Sequence, residues 1–178
     1  MPSLLLHADD PRWHPADPRS LAAILLELGL IRPSAASEPV AEFQVGEQFL
    51  QLVMFLGCSP HVLLDAETAA QGQVVCHIRL RSYRDVTLLA GKTKPSARCA
   101  NCRAAAELSS TASFETGYRC RQCGSESRVS DLDWRQCAGF GRCFVEVSGI
   151  HPHEAVPSDK LLNALRAYSQ CNWKYFYM

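Results

Sequence analysis

The chain has no stretch approaching the roughly 20 consecutive apolar residues that a membrane-spanning helix needs. Its densest apolar run, Leu50 to Cys58, is interrupted by Gln51. This excludes a spanning segment and predicts a protein with no membrane partner. The first residues carry no basic cluster, and three leucines, Leu4 to Leu6, soon give way to Asp9 and Asp10. That pattern is not a secretory signal. Charge of one sign is also missing: 18 Lys+Arg balance 18 Asp+Glu. A simple polybasic nucleic-acid arm is thereby excluded. Charged residues are only 20 % and hydrophobic residues 47 %, which excludes intrinsic disorder. Several catalytic signatures are absent. There is no Gly-x-x-x-x-Gly-Lys-Ser/Thr, no Gly-x-Gly-x-x-Gly opening a helix and no His-Glu-x-x-His. No enzyme class gains positive support.

What the chain has in quantity is cysteine, nine in 178 residues. An odd number excludes a fully paired disulfide framework within one chain. Four of the nine stand in two pairs, Cys99-Ala-Asn-Cys102 and Cys120-Arg-Gln-Cys123, seventeen residues apart. Such pairs in a reduced compartment hold metal more often than disulfides, so a cytoplasmic location is expected. Two residues between cysteines let one tight turn present both sulfurs to one ion. Two such turns, joined by a hairpin, complete a tetrahedron of thiolates. Phe114 to Arg119 reads as the strand leading into the second turn, and Gly124 relieves the backbone after it.

Residues 98–125 therefore resemble a zinc ribbon, with Arg103 where that module often has glycine. The resemblance implies one structural Zn²⁺ on Cys99, Cys102, Cys120 and Cys123. Four thiolates leave no open position for a catalytic water. A redox dithiol pair and a tetrathiolate iron centre are the alternatives.

The remaining cysteines read as follows. Cys58, Cys76 and Cys143 lie in apolar contexts and are expected in the core. Cys137 lies in a glycine-containing loop, and Cys171 precedes Asn172 and Trp173. A second site is conceivable from Cys137, His151, His153 and Glu154, with Cys58, His61, Cys76 and His77 as further candidates. His-x-His with a carboxylate is a known ligand pattern, although Pro152 fixes an extended loop there.

The zero net charge hides a pattern. Residues 1–78 carry a net −6, residues 79–128 a net +6, and residues 129–178 are balanced. The basic segment contains Arg79, Arg81, Arg84, Lys92, Lys94, Arg98, Arg119 and Arg121. It either faces the acidic third within the fold or meets an acidic partner.

Periodicity sets the fold expectation. Asp17-Pro18 opens a helix with Leu21, Ile24, Leu25 and Leu28 on one face, ended by Gly29 and Pro33. Residues 33–40 read as a loop. Glu42 to Val45, Phe49 to Leu56 and Gln73 to Leu80 read as strands, the last with Val74, Cys76, Ile78 and Leu80 on one face. Asp85 to Ala90 is expected to pair with it. Residues 91–97 read as a flexible lead into the cysteine segment. Arg142 to Val147 reads as a strand, Ser158 caps a second helix bearing Leu161, Leu162, Leu165 and Tyr168, and Trp173 to Tyr177 reads as a final strand. The expected class is α+β: a small mixed or antiparallel sheet, two main helices and an inserted four-cysteine ribbon at 98–125. The expected division is an N-terminal helical segment, 1–37, and an α+β domain, 38–178.

Three functions are consistent with these features. One is a non-enzymatic accessory or adaptor protein acting through protein–protein interaction, an assembly factor for a metalloenzyme being one form of it. The second is nucleic-acid binding through 79–128, which predicts strong salt dependence. The third is a metal- or thiol-dependent enzyme using a second site. The sequence sets no oligomeric state.

Overall fold

The computed structural model describes residues 2–33, 42–57, 63–64, 75–91, 96–109 and 112–178. Five strands form an antiparallel sheet in the order β2-β4-β7-β1-β9. They are β1 (Ser3–Ala8), β2 (Glu42–Gln44), β4 (His77–Ala90), β7 (Ala138–Ser148) and β9 (Trp173–Tyr177). Two small pairs flank it: β3 (Val53–Phe55) with β8 (Ala155–Pro157), and β5 (Gly117–Arg119) with β6 (Glu126–Arg128). Three helices complete the architecture, α1 (Pro18–Glu27), the single turn α2 (Phe49–Leu52) and α3 (Asp159–Ser169). The class is the expected α+β one.

The three leucines near the N-terminus explain an element that periodicity did not reveal. All six residues of β1 are buried, and the strand pairs with β7 on one side and β9 on the other. A central strand buried on both faces has no polar–apolar alternation to read. The first 37 residues thus supply an inner strand of the sheet as well as helix α1.

α1 begins as its cap residues dictate. The Asp17 side chain accepts from the Arg19 N–H, and Pro18 occupies the first turn. It ends at Gly29, whose φ is +72°. Gly29 N–H donates to Leu26 O and Leu30 N–H to Leu25 O, each at 2.9 Å, the paired bonds of a Schellman ending. Leu21 and Leu25 bury the apolar face. In α3 the Ser158 hydroxyl accepts from Leu161 N–H, and Leu161 and Leu165 are buried. Tyr168 and Ser20 share a hydroxyl–hydroxyl bond that joins the two helices. The core enclosed between helices and sheet includes Leu4, Leu6, Ile78, Cys143, Val145 and Val147. Trp173, Phe176 and Tyr177 are buried on β9, so the aromatic tail is an edge strand packed on the core.

Two strand expectations are corrected. Phe49 to Leu56 is not one strand: it opens as the helical turn α2 before β3. Phe49 and Leu52 are both buried at i, i+3 spacing, and an apolar run does not by itself choose between helix and strand. Asp85 to Ala90 does not fold back on 73–80. Residues 77–80 and 85–90 both belong to the fourteen-residue β4, which pairs with β7 on either side of residues 83–86. No Gly, Pro or Asn lies between Ser82 and Thr87 to make a hairpin turn. The register instead shifts there, an irregularity that absorbs extra residues. Residues 34–40 of the expected linker, Gln73, Val74 and residues 92–95 lie outside the described residues.

Candidate metal centre

β4 and β7 are neighbours, with Ala90 opposite Ala138. The cysteine segment is the connection between them, so it is an insertion in a β-hairpin. Arg98 bridges both Ala105 and Asp133, which closes the neck of the insertion. Beneath it lies a small second core shared with the ends of β4 and β7: Ala97, Val129, Leu132, Trp134, Ala138 and Phe140, with Val86, Ala90, Phe114 and Tyr118 against it. Trp134 donates its indole N–H to Val129 O at 3.1 Å.

The two Cys-x-x-Cys turns repeat one hydrogen-bond pattern. Cys99 N–H donates to Ala104 O and Arg103 N–H to Cys99 O. In the second turn Cys120 N–H donates to Ser125 O and Gly124 N–H to Cys120 O. All four bonds measure 2.9 Å. The residue after each pair is left-handed, with φ +61° at Arg103 and +71° at Gly124. Arg103 thus adopts the conformation for which glycine is favoured at that place. The β5–β6 hairpin carries the second turn.

The result is one cluster. The sulfurs of Cys99, Cys102, Cys120 and Cys123 all lie within 4.8 Å of one another. Cys99 and Cys123 are 3.8 Å apart and Cys102 and Cys120 3.6 Å. Sulfurs at tetrahedral corners around an ion with metal–sulfur bonds of about 2.3 Å would be about 3.8 Å apart. The group is compatible with a metal ion. Cys99 and Cys120 are buried, while Cys102 and Cys123 face solvent.

Hydrogen bonds and crowding spread the acidities of three of these thiols. Contacts from the Ser125 side chain and backbone, with help from Asn101, lower Cys123 to about 6. Backbone N–H from Cys102 and the Ser125 hydroxyl lower Cys99. For Cys102 a backbone contact at Ala104 is outweighed by desolvation and the neighbouring thiols, which raise it to about 12. Ser125 Oγ lies 3.2 Å from Cys99 Sγ and 3.1 Å from Cys123 Sγ, and Asn101 Nδ2 lies 3.6 Å from Cys123 Sγ. These are the hydrogen-bonding groups that orient metal ligands and stabilise thiolates. Their position within and just after the cysteine pairs was the only signal for them in the sequence.

The other candidates are engaged elsewhere. Glu154 accepts from the His151 N–H at 2.9 Å, and the His153 ring lies 5.1 Å from that of Tyr177. Cys137 donates its S–H to Trp134 O at 2.7 Å. His77 meets Ser148 Oγ at 2.8 Å. Among the described residues, only the four cysteines form a group of three or more His, Cys, Asp or Glu able to hold one ion. Cys76 and Cys143 are buried, which raises their thiols to about 12 and about 11. They are core residues, as expected. Cys58 and His61 lie outside the described residues.

The basic segment is divided. Arg81 Nε donates to Glu146 at 2.7 Å, and Arg79 pairs with Glu42 and, at 3.8 Å, with Glu146. Arg121 pairs with Glu107 and Arg119 with Glu126, all four exposed. Arg98 and Arg84 are exposed, and Lys92 and Lys94 lie outside the described residues. Among the described residues no helix is long and apolar enough to cross a membrane.

Together the sheet and the inserted sulfur cluster define an α+β protein with a four-cysteine candidate metal centre. No protein-family model matches the chain, and no curated protein or solved structure matches it either.

Proposed function

We propose that the chain is a zinc-binding accessory or adaptor protein, whose ribbon is a rigid platform for a macromolecular partner, most simply another protein. The observation that carries this reading is the pair of matching turns that gathers four sulfurs within 4.8 Å. A sphere filled by four thiolates makes the ion structural, and such an ion contributes folding energy to its module. Zinc fits a tetrathiolate without redox change. None of the eight described cysteines is in a disulfide, which is in keeping with a reducing compartment such as the cytoplasm. Assembly of a metalloenzyme is one task that suits such a platform.

Nucleic-acid binding is less well supported. Arg79, Arg81, Arg119 and Arg121 each face a carboxylate of this chain, which lowers the charge left for phosphates.

The test combines metal analysis with co-purification under reducing conditions. The wild type is expected to carry one zinc per chain and to retain a defined protein partner that Cys120→Ser loses. Metal-free protein with four free thiols after anaerobic preparation overturns the zinc assignment. Retention of the partner by metal-free Cys120→Ser overturns the platform role.

A further inference from the structure

The seam between the sheet and the cysteine insertion contains a cavity of about 490 Å³. Three arginines line it: Arg12 from the N-terminal region, Arg84 from β4 and Arg142 from β7. We propose that this cavity is a binding site for a small tetrahedral oxyanion of the phosphate class, held chiefly by Arg142 and Arg84.

The argument begins with the irregularity in β4. Ser82 stands opposite Cys143 and Thr87 opposite Gly141, so residues 83–86 share a single partner position, Arg142. The extra chain places Arg84, Asp85 and Val86 in the wall of the cavity. Irregularities of this kind re-aim side chains and recur beside functional sites. Arg142 lies between the aromatic residues Phe140 and Phe144 along the same strand.

The second observation is a missing partner. Arg142 Nε is buried and has no hydrogen-bond acceptor among the described residues, the one such side-chain atom found there. Buried polar groups are nearly always satisfied, and a desolvated cationic donor without an acceptor is costly. Arg142 also lines the cavity, so an oxyanion there lies beside the guanidinium that carries this unpaired donor.

Charge around the site favours an anion. Arg12 is paired with Glu115, and its guanidinium lies 5.4 Å from the centre of the Phe114 ring. That pair is neutral as a unit. Arg84 and Arg142 form no ion pair among the described residues, and the remaining carboxylate of the lining is Asp85. Two guanidinium groups against one carboxylate leave net positive charge. Guanidinium donors suit phosphate geometry, and the several oxygens of a tetrahedral oxyanion let it accept from two guanidinium groups on different strands.

The test uses the full metal-loaded chain at constant ionic strength, titrated in parallel with inorganic phosphate, phenyl phosphate and acetate. Binding is followed by calorimetry and by the arginine Nε–Hε resonances. Saturable phosphate binding that shifts the Arg142 resonance selectively is expected, with acetate weaker. Tighter binding of phenyl phosphate assigns the site to a phosphate monoester seated against the aromatic wall; equal binding assigns it to the free ion. Arg142→Lys is expected to weaken binding roughly tenfold or more. Arg84→Gln, at an exposed position, is the second variant and is expected to weaken it severalfold. Small, non-saturating shifts spread over all arginines overturn the proposal. So does binding that is unchanged in folded Arg84→Gln and Arg142→Lys.

Discussion

A Cβ on Gly139 would stand 2.7 Å from Nε2 of His7. It would also stand 2.6 Å from the Phe176 ring. Glycine at the start of β7 therefore makes room for a histidine from β1. His7 is only 9 % exposed, its ring 5.8 Å from that of Phe144 and 5.7 Å from that of Phe176. Gly139→Ala is expected to destabilise the fold by about 1–3 kcal/mol, as overpacking of a filled core does. A shift of the urea midpoint without a change in slope checks this.

Burial also sets the protonation of His7, lowering its pKa from 6.5 to about 4. The unfolded chain binds the proton more readily. Stability is therefore complete above 6.5 and is lost as pH falls toward 4. The expected loss is about 3 kcal/mol between about pH 7 and about pH 4. Denaturant curves at stepped pH measure it, and His7→Gln is expected to flatten the dependence in that range.

Glu146 adds a second acid-side dependence. Burial pushes its carboxyl up, but hydrogen bonds from Arg81 and Ser3, with the charge of Arg81, bring it below its ordinary value. Its contribution is present above the unfolded carboxylate value and is lost as pH falls through the lowered one. Glu146→Gln is expected to cost about 2 kcal/mol at neutral pH, because Arg81 loses its charged partner. The comparison with Glu146→Gln/Arg81→Met measures the coupling, and equal losses in both would remove the pair as its source.

The left-handed positions after the two cysteine pairs give a local test. A Cβ on Gly124 would meet nothing within 4 Å, so only backbone strain opposes it. Gly124→Ala is expected to weaken the insertion by about 1 kcal/mol. Arg103→Gly relieves the same strain in the first turn and is expected to resist chelator longer than the wild type. Metal-release rates with a chromogenic chelator check both.

Cys120→Ser removes a buried sulfur from the cluster and is expected to abolish metal binding and unfold residues 98–125. The five-stranded sheet should keep most of its circular-dichroism signal, because the core between sheet and helices contains none of the cysteine segment. Loss of the whole far-ultraviolet signal would show that the insertion and the sheet fold as one cooperative unit.

Much of this was legible from residue pattern. Asp17, Pro18 and Gly29 marked both ends of α1, Ser158 marked the start of α3, and cysteine spacing marked the sulfur cluster. These features are local, so sequence displays them. β1 was hidden because a doubly buried strand shows no period, and α2 because one helical turn is too short to establish one. The pairing of Arg81, and more distantly of Arg79, with Glu146 was also hidden. It depends on which strands become neighbours, and β4 and β7 meet across a long stretch of chain.

That last separation bears on how the protein reaches its native state. Pairing Ala90 with Ala138 requires closure of the whole loop formed by residues 91–137. Loop closure costs conformational entropy before any strand contact repays it, and widely separated contacts slow folding. The two cysteine turns lie inside that loop, and Arg98 pairs with Asp133 across its neck. An ion that joins the turns first shortens the free chain left to close. Metal would then act as a nucleation clamp, setting the rate at which the central sheet zips together as well as the stability of the insertion.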